Sequence, residues 1–380
     1  MFKFQVPQKS DLLLVSILLV LSIVILYLPT GFSETDTNNS ERVKALVLET
    51  DNSLIVETGI IKTGTQSLNI KILNGQFKNK ELRAFNQLVG RMEFDKYFIP
   101  GDKTLTVLNL SKDRSQIISA NVIDHYRINI EAFLLGLFVI FLISFAGWTG
   151  VKAMLSFLFT GICIWKLLLP GLLKGYAPIP LSLIIVALLT SAIIFLVAGT
   201  NKKGIVAFLG AMSGIAITCF MAILFGTLFN IHGAIKPFSE TLLYSGYSYL
   251  NLTEIFLAGI FISSSGAVMD ISMDIAASQA EVYQANKNIS TKELRGSGFA
   301  VGKAVVGTMT TTLLLAYSGG FSALLMVFIA QGTPMVNILN LNYVSGEILH
   351  TLVGSFGLVL VAPFTAIIGA WIFTRKKMKK

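Results

Sequence analysis

Two stretches of this sequence hold most of the polar groups that could do chemistry. In the first, Gly259, Ser263, Gly266, Asp270 and Asp274 are spaced three or four residues apart. On a helix turning about 100° per residue, that spacing keeps them near one face. Glu281 lies eleven residues beyond Asp270, a net rotation of about 20°, and continues the stripe. A carboxylate on a surface of small residues can bind a cation or take up a proton, and the small residues leave room for a substrate or for close helix contact. The alternative is that the carboxylates only reach the headgroup level and cap a helix. In the second stretch, Gly302-Lys303 leads into Gly307-Thr308-Met309-Thr310-Thr311-Thr312. Thr308, Thr311 and Thr312 can line a path or hydrogen-bond across helices. Ser318-Gly319-Gly320 reads as a break in that helix, or as a simple kink. Lys166, between Trp165 and Pro170, either snorkels or pairs with a carboxylate.

Other chemistries lack their residues. There is no phosphate-binding G-x-x-x-x-G-K-[ST] loop, no H-E-x-x-H and no G-x-S-x-G elbow. Cys163 and Cys219 stand far apart in apolar runs, and His125, His232 and His350 are scattered, so neither metal nor cofactor is expected. His350 with Ser355 has no second motif to make an intramembrane protease. No enzymatic activity is expected.

The elements that must position these groups are membrane helices. Of 380 residues, 53% are hydrophobic and 13% charged, against about 25% charged in an average soluble domain. Mean hydropathy is +0.71. Both exclude a purely soluble protein and a disordered one. Spans are expected at 129–147, 152–172, 180–200, 205–229, 252–274, 304–330 and 350–373. An apolar run from Leu12 to Leu28 makes eight; it reads as a signal anchor, or as a cleaved signal with Gly31 and Ser33 at the cleavage site. Gly210 and Gly214 form a close-packing G-x-x-x-G in the 205–229 span. Ser290-Thr291-Lys292-Glu293 fits a capping box opening a short helix in the polar connector 278–298. Trp148, Trp371, Tyr176 and the cluster Tyr244, Tyr247 and Tyr249 sit where interfacial aromatic belts are expected.

The stretch 29–127 is different. Leu68, Ile70 and Ile72 alternate with polar residues and run into the turn Asn74-Gly75; Val43–Leu48, Leu105–Leu110 and Ser115–Asp124 also read as strands. A small Greek-key barrel or sandwich, OB-like, is predicted.

Charge sets the orientation. The net charge is +9, but 29–127 carries 13 basic and 12 acidic residues, so the excess lies at span ends and no nucleic-acid partner is expected. With the N-terminus inside, the inner side holds Lys3, Lys9, Lys152, Lys202, Lys203, Lys287, Lys292, Arg295, Lys303, Arg375, Lys376, Lys377, Lys379 and Lys380, and the short outer loops only Lys174 and Lys236. Both termini are then cytoplasmic and 29–127 extracytoplasmic. The expected domains are an anchor at 1–28, a β domain at 29–127, a seven-helix membrane domain at 128–373 and a basic tail at 374–380.

Gly266-Ala267-Val268-Met269-Asp270, followed by Ile275, Ser278 and Glu281, resembles the signature of the YibE/F-like family. So do Gly302-Lys303, Gly307-Thr308-Met309, Leu313 to Gly320, Gly354-Ser355 and Pro363-Phe364-Thr365-Ala366; the likeness covers roughly 125–373. The resemblance implies a bacterial multi-pass cell-membrane protein of the longer, YibE type, which carries an extracytoplasmic domain. It further implies a shorter YibF-type paralogue as partner, with a homo-oligomer as the alternative. Members are called permeases, with no substrate attached. The expected function is a secondary transporter or permease subunit for an unknown small solute or ion, with Asp270 as the proton or cation site, Asp274 and Glu281 as an inner vestibule, and Thr308, Thr311 and Thr312 across the path. The alternative is a membrane scaffold or sensor acting through its outer domain.

Overall fold

A computed structural model describes residues 9–32 and 39–375, apart from the side chains of Lys9 and Ser10. Lys3, Ser33, Lys376, Lys377, Lys379 and Lys380 lie outside the described residues. The chain forms two compact units, one of residues 32–141 and one of 1–31 with 142–380.

The first unit is built on six strands: β1 (Ser40–Asp51), β2 (Ile55–Thr58), β3 (Ile61–Ile72), β4 (Glu81–Val89), β5 (Lys103–Leu110) and β6 (Ile117–His125). β1 pairs antiparallel with both β3 and β5, β3 with β4, and β5 with β6; a parallel β4–β6 pairing closes the ring. Five strands thus make a small barrel, and β2 adds only to β3. Of the two β architectures expected, the barrel forms and the sandwich does not. Alternation builds it: Val43, Ala45 and Val47 point inward from β1, and Leu68, Ile70 and Ile72 from β3, all essentially fully buried. Gly75, at φ +81°, begins the connection from β3 to β4. Beside it the Asn74 side chain accepts from the Lys44 N–H at 2.6 Å.

The second unit is helical. Its elements are α1 (Lys9–Tyr27), α2 (Ile128–Cys163, which begins in the first unit), a π-helical turn (Ile164–Leu168), α3 (Leu169–Leu173), α4 (Pro178–Ala198), α5 (Lys202–Leu228), α6 (Ser239–Tyr244), α7 (Leu252–Ala285), α8 (Thr291–Ala330), α9 (Met335–Asn340) and α10 (Asn342–Thr374). Among the described residues, six helical runs are long and apolar enough to cross a membrane, and Asp11–Tyr27 is a shorter apolar helix. The expected count of eight is therefore not reached on this measure. The spans expected at 129–147 and 152–172 fall in one run, Ile128–Leu173. That run is interrupted at Gly147 (φ 55°, ψ −128°). A Cβ at Gly150 would lie 2.5 Å from the Leu142 carbonyl oxygen, whereas eight residues of straight helix span about 12 Å. The chain bends sharply there.

Two further expectations are corrected. The capping box forms, with the Ser290 hydroxyl accepting from the Glu293 N–H and the Glu293 carboxylate from the Ser290 N–H, but it opens α8 itself and not a separate short helix. α8 also runs uninterrupted through Gly319-Gly320, because a glycine pair costs a long helix only about 1 kcal/mol per residue.

The core is α5, α7 and α10 with the first half of α8. Ile271, Ile275, Ala276, Val361 and Ala366 are buried in it. The G-x-x-x-G of α5 packs against α10: a Cβ at Gly214 would lie 2.8 Å from Val361, and Gly210 abuts Thr365. Gln279 of α7 donates to the carbonyls of Leu294 (3.0 Å) and Ala366 (2.9 Å), tying three helices at one level.

Candidate functional site

α7 carries the site. Asn251 caps its first turn by accepting from the Glu254 N–H. Its buried face, with Phe261, Val268, Ile271 and Ile275, holds it against the core. The stripe read from the sequence lies on the opposite, open face. Ser263, Gly266, Asp270, Asp274 and Glu281 are all exposed within the chain. A Cβ at Gly259 or Gly266 would meet nothing within 4 Å.

At the level of Ser263 the structure assembles a polar network. The Ser263 hydroxyl lies 2.7 Å from His350 Nε2 and accepts from the Tyr317 hydroxyl at 3.0 Å. It also lies 3.0 Å from the Ile260 carbonyl of its own helix. The Tyr317 ring stacks on the His350 ring, centroids 4.2 Å apart. His350 Nδ1 stands 3.9 Å from Glu347 Oε2, one turn earlier on α10. The same carboxylate oxygen takes an ion pair from Lys236 Nζ at 3.1 Å. Lys236 in turn lies over the rings of Phe256 and Phe321, 5.5 and 5.4 Å from their centroids. Five residues from α7, α8, α10 and the α5–α6 connection thus form one chain of charge-bearing and hydroxyl groups. A cavity of about 230 Å³, almost wholly apolar, reaches Glu347 from between α8 and α10. Another of about 170 Å³ reaches Lys236 and His350.

Asp270 follows Ser263 by seven residues on α7, about 10 Å along the axis and about 20° around it. Asp274 follows one turn later. α8 runs antiparallel beside α7: a Cβ at Gly302 would meet Ile275 at 3.3 Å, and Tyr317 meets Ser263. That register sets Thr308 level with Asp270 and Thr311 and Thr312 level with Gly266. All three threonines are exposed within the chain, and their hydroxyls bond the carbonyls of Val305 and Thr308 on their own helix. Glu281 stands near the end of α7, away from the network. Lys166 is half-buried in the π turn, a segment packed on α1 and α4, and is not brought to the carboxylates. Among the described residues no group of three or more His, Cys, Asp and Glu side chains is arranged to hold a metal.

Sequence reading picked Ser263 out for its size and missed its partners. His350 pairs with Ser263 and not with Ser355, whose hydroxyl donates to the Thr351 carbonyl at 2.7 Å. One signal was available. Glu347 and His350, three apart near the start of a span, fall on one helical face. Tyr317 and Lys236 carried none, since only the packing of α8 and the α5–α6 connection brings them in.

Long apolar helices packed around polar side chains define a multi-pass membrane protein. More specifically, the chain belongs to the YibE/F-like protein family, whose profile matches residues 134–375. That segment contains the whole network and both aspartates. No significant match was found among curated proteins or solved structures.

Proposed function

We propose that this protein is a permease or secondary-transporter subunit that moves a small solute or ion with proton or cation coupling through the open face of α7. One observation carries the reading. A helix with the length and apolarity of a membrane span presents Asp270 and Asp274 beyond a Ser263–His350–Glu347–Lys236 chain. Ionisable groups inside a span cost several kcal/mol and are kept where they serve a path or a partner. Asp270 is the proton or cation site in this reading. His350, with the Ser263 hydroxyl on Nε2, the Tyr317 ring stacked on its face and Glu347 near Nδ1, passes protons between the cavity that reaches Glu347 and the one that it lines itself. Asp274 and Glu281 form the vestibule, and Thr308, Thr311 and Thr312 stand across from it.

The excess of Lys and Arg at one set of loops supports cytoplasmic termini and an extracytoplasmic barrel. The open, glycine-lined face of α7 and α8 supports a membrane partner, either a shorter paralogue or a second copy. A scaffold role acting through the barrel is the competing reading. It is favoured by the barrel being a folded unit with its own core.

The test is proton flux into proteoliposomes holding the full chain and a trapped pH dye, with and without the co-expressed partner, across a panel of cations, anions and amino acids. The expected result is solute-dependent flux that falls to the empty-liposome baseline in Asp270→Asn and His350→Gln while both variants elute as folded protein. Folded variants with wild-type flux would remove the proposed roles of these residues. An absence of flux for every solute would leave the scaffold reading.

A further inference from the structure

At the end of the bundle far from the Ser263 network lies a polar cavity of about 520 Å³. It is framed by Lys202 at the start of α5, Tyr283 near the end of α7, Lys287 and Asn288 just beyond that helix, and Thr374 and Arg375 at the end of α10. Three of these residues are cations and none is a carboxylate. Lys202 is fixed in the wall: its ammonium donates to the carbonyls of Ile372 (2.9 Å) and Phe373 (3.3 Å) in the last turn of α10. Tyr283, also in the lining, is stacked on Phe373 with centroids 5.8 Å apart. Arg375 lies 4.9 Å over the Trp371 ring. Among the described residues no carboxylate comes within ion-pair distance of Lys202, Lys287 or Arg375. Three like charges around one cavity repel one another, and burying an anion between them relieves that repulsion.

We infer that this cavity binds the phosphodiester headgroup of an anionic phospholipid. The cation set matches a phosphate, with a guanidinium and two ammonium donors and hydroxyl and amide groups beside them. The position selects a lipid over a soluble anion. The cavity sits where three long apolar helices end, which is the headgroup level of a bilayer, and Trp371 is exposed beside it as an interfacial ring is. The site shares no residue with the proposed transport path, so either can fail alone.

The test is native mass spectrometry of the full chain titrated with phosphatidylglycerol or phosphatidylcholine, with inorganic phosphate in a parallel thermal-shift arm. Phosphatidylglycerol is expected to bind and phosphatidylcholine to bind at least tenfold more weakly, with no shift from phosphate. Lys287→Gln with Arg375→Gln is expected to weaken phosphatidylglycerol about tenfold. Lys287→Gln alone, at an exposed position, gives a partial loss should the pair not fold. Lys203→Gln with Lys292→Gln removes equal charge outside the cavity and is expected to leave binding unchanged. Equal loss in that control pair would mean a diffuse basic surface and overturn the site, as would full binding by Lys287→Gln/Arg375→Gln. A shift with phosphate as large as with the lipid would overturn the lipid in favour of a soluble anion.

Discussion

In the barrel, Gln66 and Asn86 are buried polar side chains, and both groups of Gln66 and the Asn86 NH2 are hydrogen-bonded. Gln66 donates to the Phe98 carbonyl at 2.8 Å and to Asn52 at 3.0 Å, and accepts from the Phe98 N–H and from Asn86, each at 3.1 Å. Asn86 also donates to the Lys96 carbonyl at 2.6 Å. In the helical unit the buried Ser182 and Thr190 hydroxyls, Gln279 Oε1, His350 Nδ1 and Trp148 Nε1 have no hydrogen-bond partner among the described residues. Among the described residues the barrel has no such atom. A satisfied network fixes one structure, whereas an unsatisfied donor or acceptor is a group whose hydrogen bond is made elsewhere or at another moment. The contrast separates a unit whose buried polar groups are satisfied within it from one that keeps buried polar groups without a partner among the described residues. In the helical unit it also separates His350, which belongs to a network, from Ser182 and Thr190, which belong to none.

The largest effect that would break this contrast is in the barrel. Gln66→Ala strands the Phe98 N–H and C=O and the Asn86 amide, each costing about 1–3 kcal/mol. Amide exchange in the full chain is expected to show β3 and the Phe98 segment deprotected by roughly 3 kcal/mol or more, with α7 and α10 unchanged. Wild-type protection in the variant would mean the network is decoration.

Asp124 gives a smaller effect with a defined sign. Partial burial pushes its carboxyl up, but the His125 N–H, the Arg127 guanidinium at 2.8 Å and the Lys96 ammonium at 3.5 Å outweigh that and hold it below the ordinary value. The folded form therefore binds its proton more weakly than the unfolded chain. Its stabilisation is complete above the ordinary aspartate value of about 3.9 and is lost as pH falls through the lower folded value. Barrel protection is expected to fall by about 1 kcal/mol below pH 4, and Asp124→Asn to remove that part of the pH dependence. An unchanged acid profile in the variant would assign it to other carboxylates.

The smallest effect sharpens the comparison from the helical side. Thr190→Val replaces an unpartnered buried hydroxyl in α4 by a methyl of similar shape. Stability is expected to change by no more than about 0.5 kcal/mol, or to rise, read as the thermal midpoint of the full chain. A loss above about 1 kcal/mol would reveal a hydrogen bond that Thr190 makes in the folded membrane form.

Some elements could be read directly, and others could not, for local reasons. β3 shows because its inward Leu68, Ile70 and Ile72 alternate with polar Asn69 and Lys71, whereas β1 and β5 show as runs rich in β-formers, β5 turning Thr104 and Thr106 inward with Leu108 and Leu110. β4 does not, because its inward set is Ala84, Asn86 and Leu88, and a buried asparagine erases the alternation. The capping box was legible as a motif, but its spacing says nothing of how far the helix runs. The boundary at Gly147 was legible as the end of the 129–147 span, but the sequence does not say how sharply the chain bends there.

By itself the sequence determined the membrane class, the barrel's alternating core, the α7 stripe with Asp270 and Asp274, and the close-packed glycines of α5. These follow from composition and period, because apolar surface must leave water and each element buries one face. Only the tertiary structure decided the site's chemistry. Lys236, Ser263, Tyr317, Glu347 and His350 span more than a hundred residues of chain and no shared period. They meet because α7, α8 and α10 pack in one register, set by contacts such as Gly302 on Ile275 and Gln279 on the Leu294 and Ala366 carbonyls. A hydroxyl's partner is fixed by a distance of about 3 Å between helices, and no local pattern encodes that distance.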